Sequence, residues 1–347
     1  MTVAPDPDEY FEHVLRHAVP WDERRPTTDV DRWRAWWADR PRPTPVHELA
    51  RRQGWVVSTA QLRRLGFADH DVRRQVRRGA WWAPARGVLS PVDVRADDAW
   101  VQRRREHALR STAAALSRPE HVVDGRSAAI LYGLPTTEVP ALPELAGPAS
   151  TGRRRRVHVH ALRLRIPEIT TWYGTAVATQ ARVVVDLARR CADDGIMAAD
   201  AALRAGLVTV ASLAAALDSS AGWPGVRRAR EVLTLMSALS ESPLESVTRL
   251  RLHDDGFPVP ELQAEIAGYA VDIYWPEYGV ALECDGRGKY TADELWRERR
   301  RTGRLRAAGV VEVERVVWSD VNADWPETRS RLAALFPSGV VKIRAGK

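Results

Sequence analysis

Three acids in the last third of the chain, Asp272, Glu283 and Asp285, fall where strand alternation puts them on one polar face. In a predicted strand over 269 to 274, Tyr269, Val271 and Ile273 share one side, which turns Asp272 to the other. In a second, over 279 to 285, Val280, Leu282 and Cys284 share the apolar side and leave Glu283 and Asp285 together opposite. The connection from Trp275 to Gly279 allows a two-residue turn centred on Glu277 and Tyr278, and that turn sets Asp272 directly across from Glu283. Directly paired residues have Cβ atoms about 4.5 to 5.5 Å apart. Carboxylates that close repel one another unless a cation joins them, and hard oxygen ligands around an open site suit Mg²⁺ or Mn²⁺. An ion held there activates water and neutralises charge on a phosphate, so the implied chemistry is phosphodiester hydrolysis. An acidic, solvent-facing hairpin is the competing reading.

Two sets of cations lie nearby. Of 52 Lys and Arg residues only Lys289, Lys342 and Lys347 are lysine, and Lys289 follows Asp285 by four positions. Lysine offers a compact charge whose pKa can shift, unlike guanidinium, and Gly286 and Gly288 could fold the segment back toward the acids. A surface lysine on a glycine-rich turn is the alternative. Arg297, Arg300, Arg301 and Arg304 recur at i, i+3, i+4 and i+7 of a predicted helix and could line a groove for substrate phosphates or simply face solvent.

The elements that must carry these residues read helix, three strands, helix, strand: 243 to 254, 262 to 266, 269 to 274, 279 to 285, 291 to 307 and 310 to 317, with a last helix over 326 to 335. Near the other end, three short helices, 46 to 53, 58 to 65 and 69 to 78, precede a ribbon, AWWAPARGVLS. Ser58 and Gln61 have capping-box spacing, Gly66 stops the second helix, Asp69 can cap the third and Gly79 ends it. That is the pattern of a winged helix-turn-helix. Arg73, Arg74, Arg77 and Arg78 share one face of the third helix, Val72 and Val76 point the other way, and Arg86 sits at the wing's turn. Such a face neutralises phosphates while the valines anchor the helix; a solvated arginine face on a small bundle is the alternative.

Charge agrees with this division. Lys plus Arg against Asp plus Glu runs 7 to 9 over residues 1–45, 10 to 4 over 46–95, 19 to 14 over 96–240 and 16 to 18 over 241–347, so the basic excess lies away from the acidic cluster. We read these as an N-terminal extension with Trp33, Trp36 and Trp37 at helical spacing (1–45), a winged-helix domain (46–95), a mainly helical connector (96–240) and a catalytic domain (241–337). The fold class expected is α+β and multidomain. In the connector, helices are predicted at 97–117, 178–191, 195–205, 209–217 and 225–239, around extended segments at 139–177. There the basic run Arg153 to Arg156 and the alternating His158 and His160, with Arg163 and Arg165 following, could face phosphate or form the wet side of a sheet. No Walker, dinucleotide-binding or Ser/His/Asp signature appears. No apolar run approaches the ~20 residues of a membrane helix, the acidic, proline-broken start does not suit a signal peptide, and Cys191 and Cys284 lack metal-ligand spacing, so the expected location is the cytoplasm, with no membrane partner.

Four stretches, SPLES at 242–246, PVPELQ at 258–263, VDIYWPE at 271–277 and ALECDG at 281–286, together resemble the very-short-patch-repair-like nucleases of the PD-(D/E)XK fold. Gln53 to Leu89 similarly resembles the winged helix that opens abortive-infection (AbiEi-type) antitoxins, and the chain as a whole is similar to actinobacterial proteins that join the two across a helical middle. The nuclease resemblance implies a restriction-endonuclease-like domain of order α-β-β-β-α-β, with Glu245, Asp272 and Glu283 as metal-binding acids. It puts Asp285 where many relatives have lysine, which leaves Lys289 as a substitute for the missing base or the domain catalytically weak. Glu245 also completes a capping box with Ser242 and Pro243, a sufficient reason for it by itself.

Two functions follow as expectations. One is a Mg²⁺- or Mn²⁺-dependent DNA endonuclease in phage defence or repair, delivered by its winged helix. The other is a non-catalytic DNA-binding antitoxin or transcriptional regulator whose nuclease-like domain is a scaffold. DNA, and a toxin or other defence protein, are the expected partners.

Overall fold

The computed structural model describes residues 44–148, 156–160, 164–285 and 292–341, the side chains of 292–298 excepted. Trp33, Trp36 and Trp37, Arg153 to Arg155, Arg163 and Lys289 lie outside the described residues, as does the Arg297 side chain.

The first unit begins with helix α1 (Pro45–Arg51), strand β1 (Val57–Ser58), α2 (Thr59–Arg64) and α3 (Asp69–Arg77). A hairpin of β2 (Trp82–Ala85) and β3 (Val88–Ser90) closes it, and β1 pairs with β3. The predicted cap at Ser58 forms: its Oγ accepts from Gln61 N at 3.1 Å while Gln61 Oε1 accepts from Ser58 N at 2.8 Å. Asp69 does not cap α3. Ala68 holds that position, and Asp69 instead takes a two-pronged contact from Arg63 at 2.9 and 3.1 Å. Val46, Val56, Val57, Leu62, Val88 and Leu89 make a small core that also takes Leu109 and Ala113 from the long α4 (Ala99–Leu116).

The next stretch combines helices with the extended segments expected at 139–177 and adds a short strand and a short helix ahead of them. Five short strands, β4 (Val122–Val123), β5 (Glu144–Ala146), β6 (His158–His160), β7 (Ile169–Trp172) and β8 (Thr175–Ala178), form one sheet in the order β6-β5-β4-β8-β7, with α5 (Gly125–Leu131) inserted after β4. Strands of two to four residues give alternation too few positions to show itself. The helices α6 (Gln180–Arg190), α7 (Ala192–Arg204), α8 (Val210–Asp218) and α9 (Val226–Leu233) fall close to expectation, although α9 stops six residues short of 239. Gly195 lets α6 and α7 touch: a Cβ there would lie 2.4 Å from Ala188 Cα.

His158 is exposed, but His160 is not on a wet face. Its Nδ1 lies 3.0 Å from the fully buried Asp124, whose Oδ2 also takes Arg190 Nη2 at 3.1 Å. Burial pushes the Asp124 carboxyl up, yet the His160 hydrogen bond and the Arg190 charge outweigh it and hold the group at about 2. A value below that of an unfolded chain means this contribution to stability is present above about pH 4 and lost as pH falls toward 2. Asp124→Asn should cost roughly 2 kcal/mol at pH 7, because the half-buried His160 and the exposed Arg190 both lose their contact with a charged, fully buried acceptor. Denaturant midpoints would check this; an unchanged midpoint refutes it.

The last elements are α10 (Pro243–Asp254), β9 (Glu261–Ile266), β10 (Tyr269–Trp275), β11 (Val280–Cys284), α11 (Ala292–Ala307), β12 (Glu312–Val316), α12 (Trp318–Asn322) and α13 (Trp325–Ala333). Their sheet runs β12-β11-β10-β9, antiparallel except for the β11–β12 pair that α11 connects. The chain is thus mixed α/β, with three sheets and, among the described residues, thirteen α-helices. The main apolar cluster runs from Ala114 through α10 to Phe336, and Asp200–Arg249 and Asp193–Arg251 ion pairs fix α10 to α7.

Candidate active site

The β10–β11 register is Ile273 to Leu282, Tyr274 to Ala281 and Trp275 to Val280, and one further step along that diagonal sets Asp272 across from Glu283. Within the loop 276–279 the Gly279 N–H donates to Pro276 O at 3.3 Å, which closes the expected turn around Glu277 and Tyr278 and keeps the strands in the register it implies. Gly279 is needed there, since a Cβ would meet Val311 Cγ2 at 2.7 Å.

Alternation breaks at Asp272. Val271 joins the small cluster with Ala281, Leu305 and Val310 under α11, whereas Ile273 joins the main core on the α10 side, so these two do not share one face as the sequence implied. The ladder between β9 and β10 skips the step at Gln263 and Asp272, and Gln263 has φ +51, a left-handed conformation that strains a non-glycine residue. Freed from the ladder, the Gln263 amide Nε2 donates to Glu245 Oε2 at 2.9 Å and to Asp272 Oδ1 at 3.3 Å. Asp272 Oδ2 accepts from the Cys284 backbone N–H at 2.7 Å. Glu245, 3% exposed, therefore does more than cap. Ser242 Oγ caps by accepting from Glu245 N at 3.0 Å, but the Glu245 carboxylate accepts from Glu241 N and from Gln263, which ties it to the strand acids. Sequence reasoning missed Gln263, because a left-handed strand residue leaves no signature in residue types.

Glu283 is 4% exposed, and the Arg301 guanidinium of α11 approaches its Oε1 to 2.8 Å without hydrogen-bond alignment. Burial, reinforced by the Asp272 charge, pushes the Glu283 carboxyl up to about 7 despite Arg301. Asp272 is raised as well, burial outweighing the Cys284 N–H and the Gln263 amide. Asp285 adds a smaller repulsion to both and lies 3.3 Å from Arg315 Nε. Among the described residues, no three His, Cys, Asp or Glu side chains form a ready-made metal cage. A carboxyl raised this far contributes stability at acid pH that is lost as pH climbs from about 4 toward 7. In EDTA, Glu283→Gln should therefore be the more stable protein at pH 8 by roughly 2 to 3 kcal/mol, with the gap closing near pH 4.5. A gap of the same size at both pH values would refute this assignment.

The four arginines expected in one groove divide. Arg301 serves Glu283 and Ala270 O, Arg304 Nη1 donates to the Tyr269 hydroxyl at 2.9 Å, and Arg300 is exposed. At the other end of the chain, Arg73, Arg74, Arg77, Arg78 and Arg86 are all exposed, with Arg74 paired to Asp71. Val72 packs on the small core, but Val76 is 37% exposed, so only one of the two valines anchors α3.

No protein-family profile matches the chain. Two relatives from Mycobacterium tuberculosis, the uncharacterized protein Rv2248 of strain ATCC 25618 / H37Rv and the uncharacterized protein MT2308 of strain CDC 1551 / Oshkosh, are each 31% identical over 219 residues, covering 60% of this chain and 78% of the relative. The chain belongs to the same family as these mycobacterial proteins.

Proposed function

We propose that this protein is a metal-dependent DNA endonuclease whose site is the acidic cluster at the β10–β11 end and whose N-terminal unit is a winged helix that grips duplex. The observation that carries the reading is a set of acids from three separate elements, Glu245, Asp272 and Glu283, linked through the strained Gln263 or facing across one strand pair. Backbone strain of this kind costs about 1 to 3 kcal/mol and persists where the surroundings enforce it, commonly at functional sites. The strand order, with α11 crossing between parallel β11 and β12, supports the restriction-endonuclease-like assignment. Three helices, a hairpin and five exposed arginines support the winged-helix assignment.

The donor set fits Mg²⁺ or Mn²⁺: all oxygen, with Glu283 Oε1 buried and lacking a hydrogen bond. Asp272 and Glu283 would hold the ion, with Glu245 and Asp285 close by. When bound, the ion supplies a nucleophilic water and neutralises phosphate charge. The chain's own contribution is positional. Cys284 N–H and Gln263 orient Asp272, the Ser242 cap and Glu241 N–H fix Glu245, and the Asp200–Arg249 pair anchors the helix that carries it. The test is to incubate supercoiled plasmid and linear duplex with Mg²⁺, with Mn²⁺ and with EDTA. Nicked or linear products with either metal and none in EDTA are expected; intact DNA in every arm would favour the non-catalytic antitoxin or regulator.

A further inference from the structure

Arg301 reaches the acidic cluster from outside the strands that form it. Its guanidinium stands 2.8 Å from Glu283 Oε1, donates to Ala270 O and lies 5.8 Å from the centre of the Tyr269 ring. The side chain is 22% exposed and the carboxylate 5%, so the pair sits at a mouth, with the cation on the solvent side. Glu283 Oε1 has that ionic neighbour and no hydrogen bond, whereas Asp272 is held by Cys284 N–H and Gln263. One oxygen of the cluster is thus committed to electrostatics alone. A divalent ion and a guanidinium cannot both occupy the same side of one carboxylate oxygen at contact distance, because like charges there repel strongly.

We infer that Arg301 is the resident counter-cation of the cluster, that a divalent ion must displace it from Glu283 to bind, and that the freed guanidinium then faces the entrance where an anionic phosphate would lie. This rests on the metal-dependent reading above. Arg301 is a positioning residue in this account: it offsets the negative charge of the cluster and keeps the site closed to stray cations until metal arrives, and no bond is made or broken in the exchange. Tyr269 offers the displaced group a ring to move across, since it already lies against both Arg301 and Arg304. An arginine fits this duty better than lysine, being charged at every physiological pH and able to stack.

The test is Mn²⁺ binding to the full chain without DNA, followed by electron paramagnetic resonance of the free ion, for wild type, Arg301→Met, Arg301→Lys, Arg304→Ala and Asp272→Asn. Removing the competing charge should tighten Mn²⁺ binding about tenfold in Arg301→Met. Arg301→Lys should stay near wild type and so shows that charge, not helix packing, sets the difference; Arg304→Ala should bind as wild type does. Equal or weaker binding by Arg301→Met, with wild type binding normally and Asp272→Asn impaired, overturns the exchange and leaves the metal site standing. No binding by wild type at millimolar Mn²⁺, or binding unaffected by Asp272→Asn, overturns the metal reading and the exchange with it.

Discussion

Glu283→Gln and Asp272→Asn are each expected to reduce metal-dependent DNA cleavage by at least about a thousandfold, roughly 4 kcal/mol of transition-state stabilisation, while duplex affinity stays within about twofold of wild type. The two acids face each other across β10 and β11 at the end of the sheet, far in sequence from the exposed arginines of the N-terminal unit. Neither variant opens a cavity, since both replacements keep shape. Glu283→Gln also removes the cost of burying a charge beside Asp272, so a loss of cleavage cannot be ascribed to unfolding if the variant proves as stable as wild type or more so. Single-turnover rates with binding measured in parallel separate the two effects. Cleavage at wild-type rate by either variant removes these residues from the site.

The second large effect belongs to the opposite end. Replacing Arg73 and Arg77 with Ala should weaken duplex binding at least about tenfold in 0.1 M salt and flatten the log-log salt dependence by about 0.9 for each lost phosphate contact. Both side chains are exposed on a helix that buries none of its residues, so the substitutions cost little folding energy. Arg74, already paired with Asp71, is the internal comparison and should contribute less. Anisotropy at several salt concentrations gives the slope directly, and a slope identical to wild type would take α3 off the DNA.

Much of this architecture is legible in residue types. The pairing of Asp272 with Glu283 follows from two extended runs and the few residues joining them, because the turn length sets the register of a hairpin. The capping box at Ser58 and the caps of α10 were likewise written in local spacing. What stayed hidden depends on distant parts of the chain. Arg301 could be placed on a helix but not beside Glu283, since that contact depends on how α11 crosses from β11 to β12. Gln263 owes its role to a left-handed backbone, and the break in alternation at Val271 and Ile273 follows from the same irregularity. Val76 reads as an anchor by periodicity, yet the core beneath α3 is too small to cover a second turn. In the five-stranded sheet the extended segments over 139–177 were legible, but β4 and the strand order were not, because a two-residue strand is too short to alternate visibly.

The claim at the centre is that phosphodiester cleavage belongs to the Asp272 site and needs a divalent ion. Supercoiled plasmid treated side by side with wild type and Asp272→Ala, purified identically and assayed with Mn²⁺ and with EDTA, measures it most directly. Nicking by wild type in Mn²⁺ alone, and by the variant in neither condition, is the predicted result; equal nicking by both proteins, or nicking that survives EDTA, would contradict it.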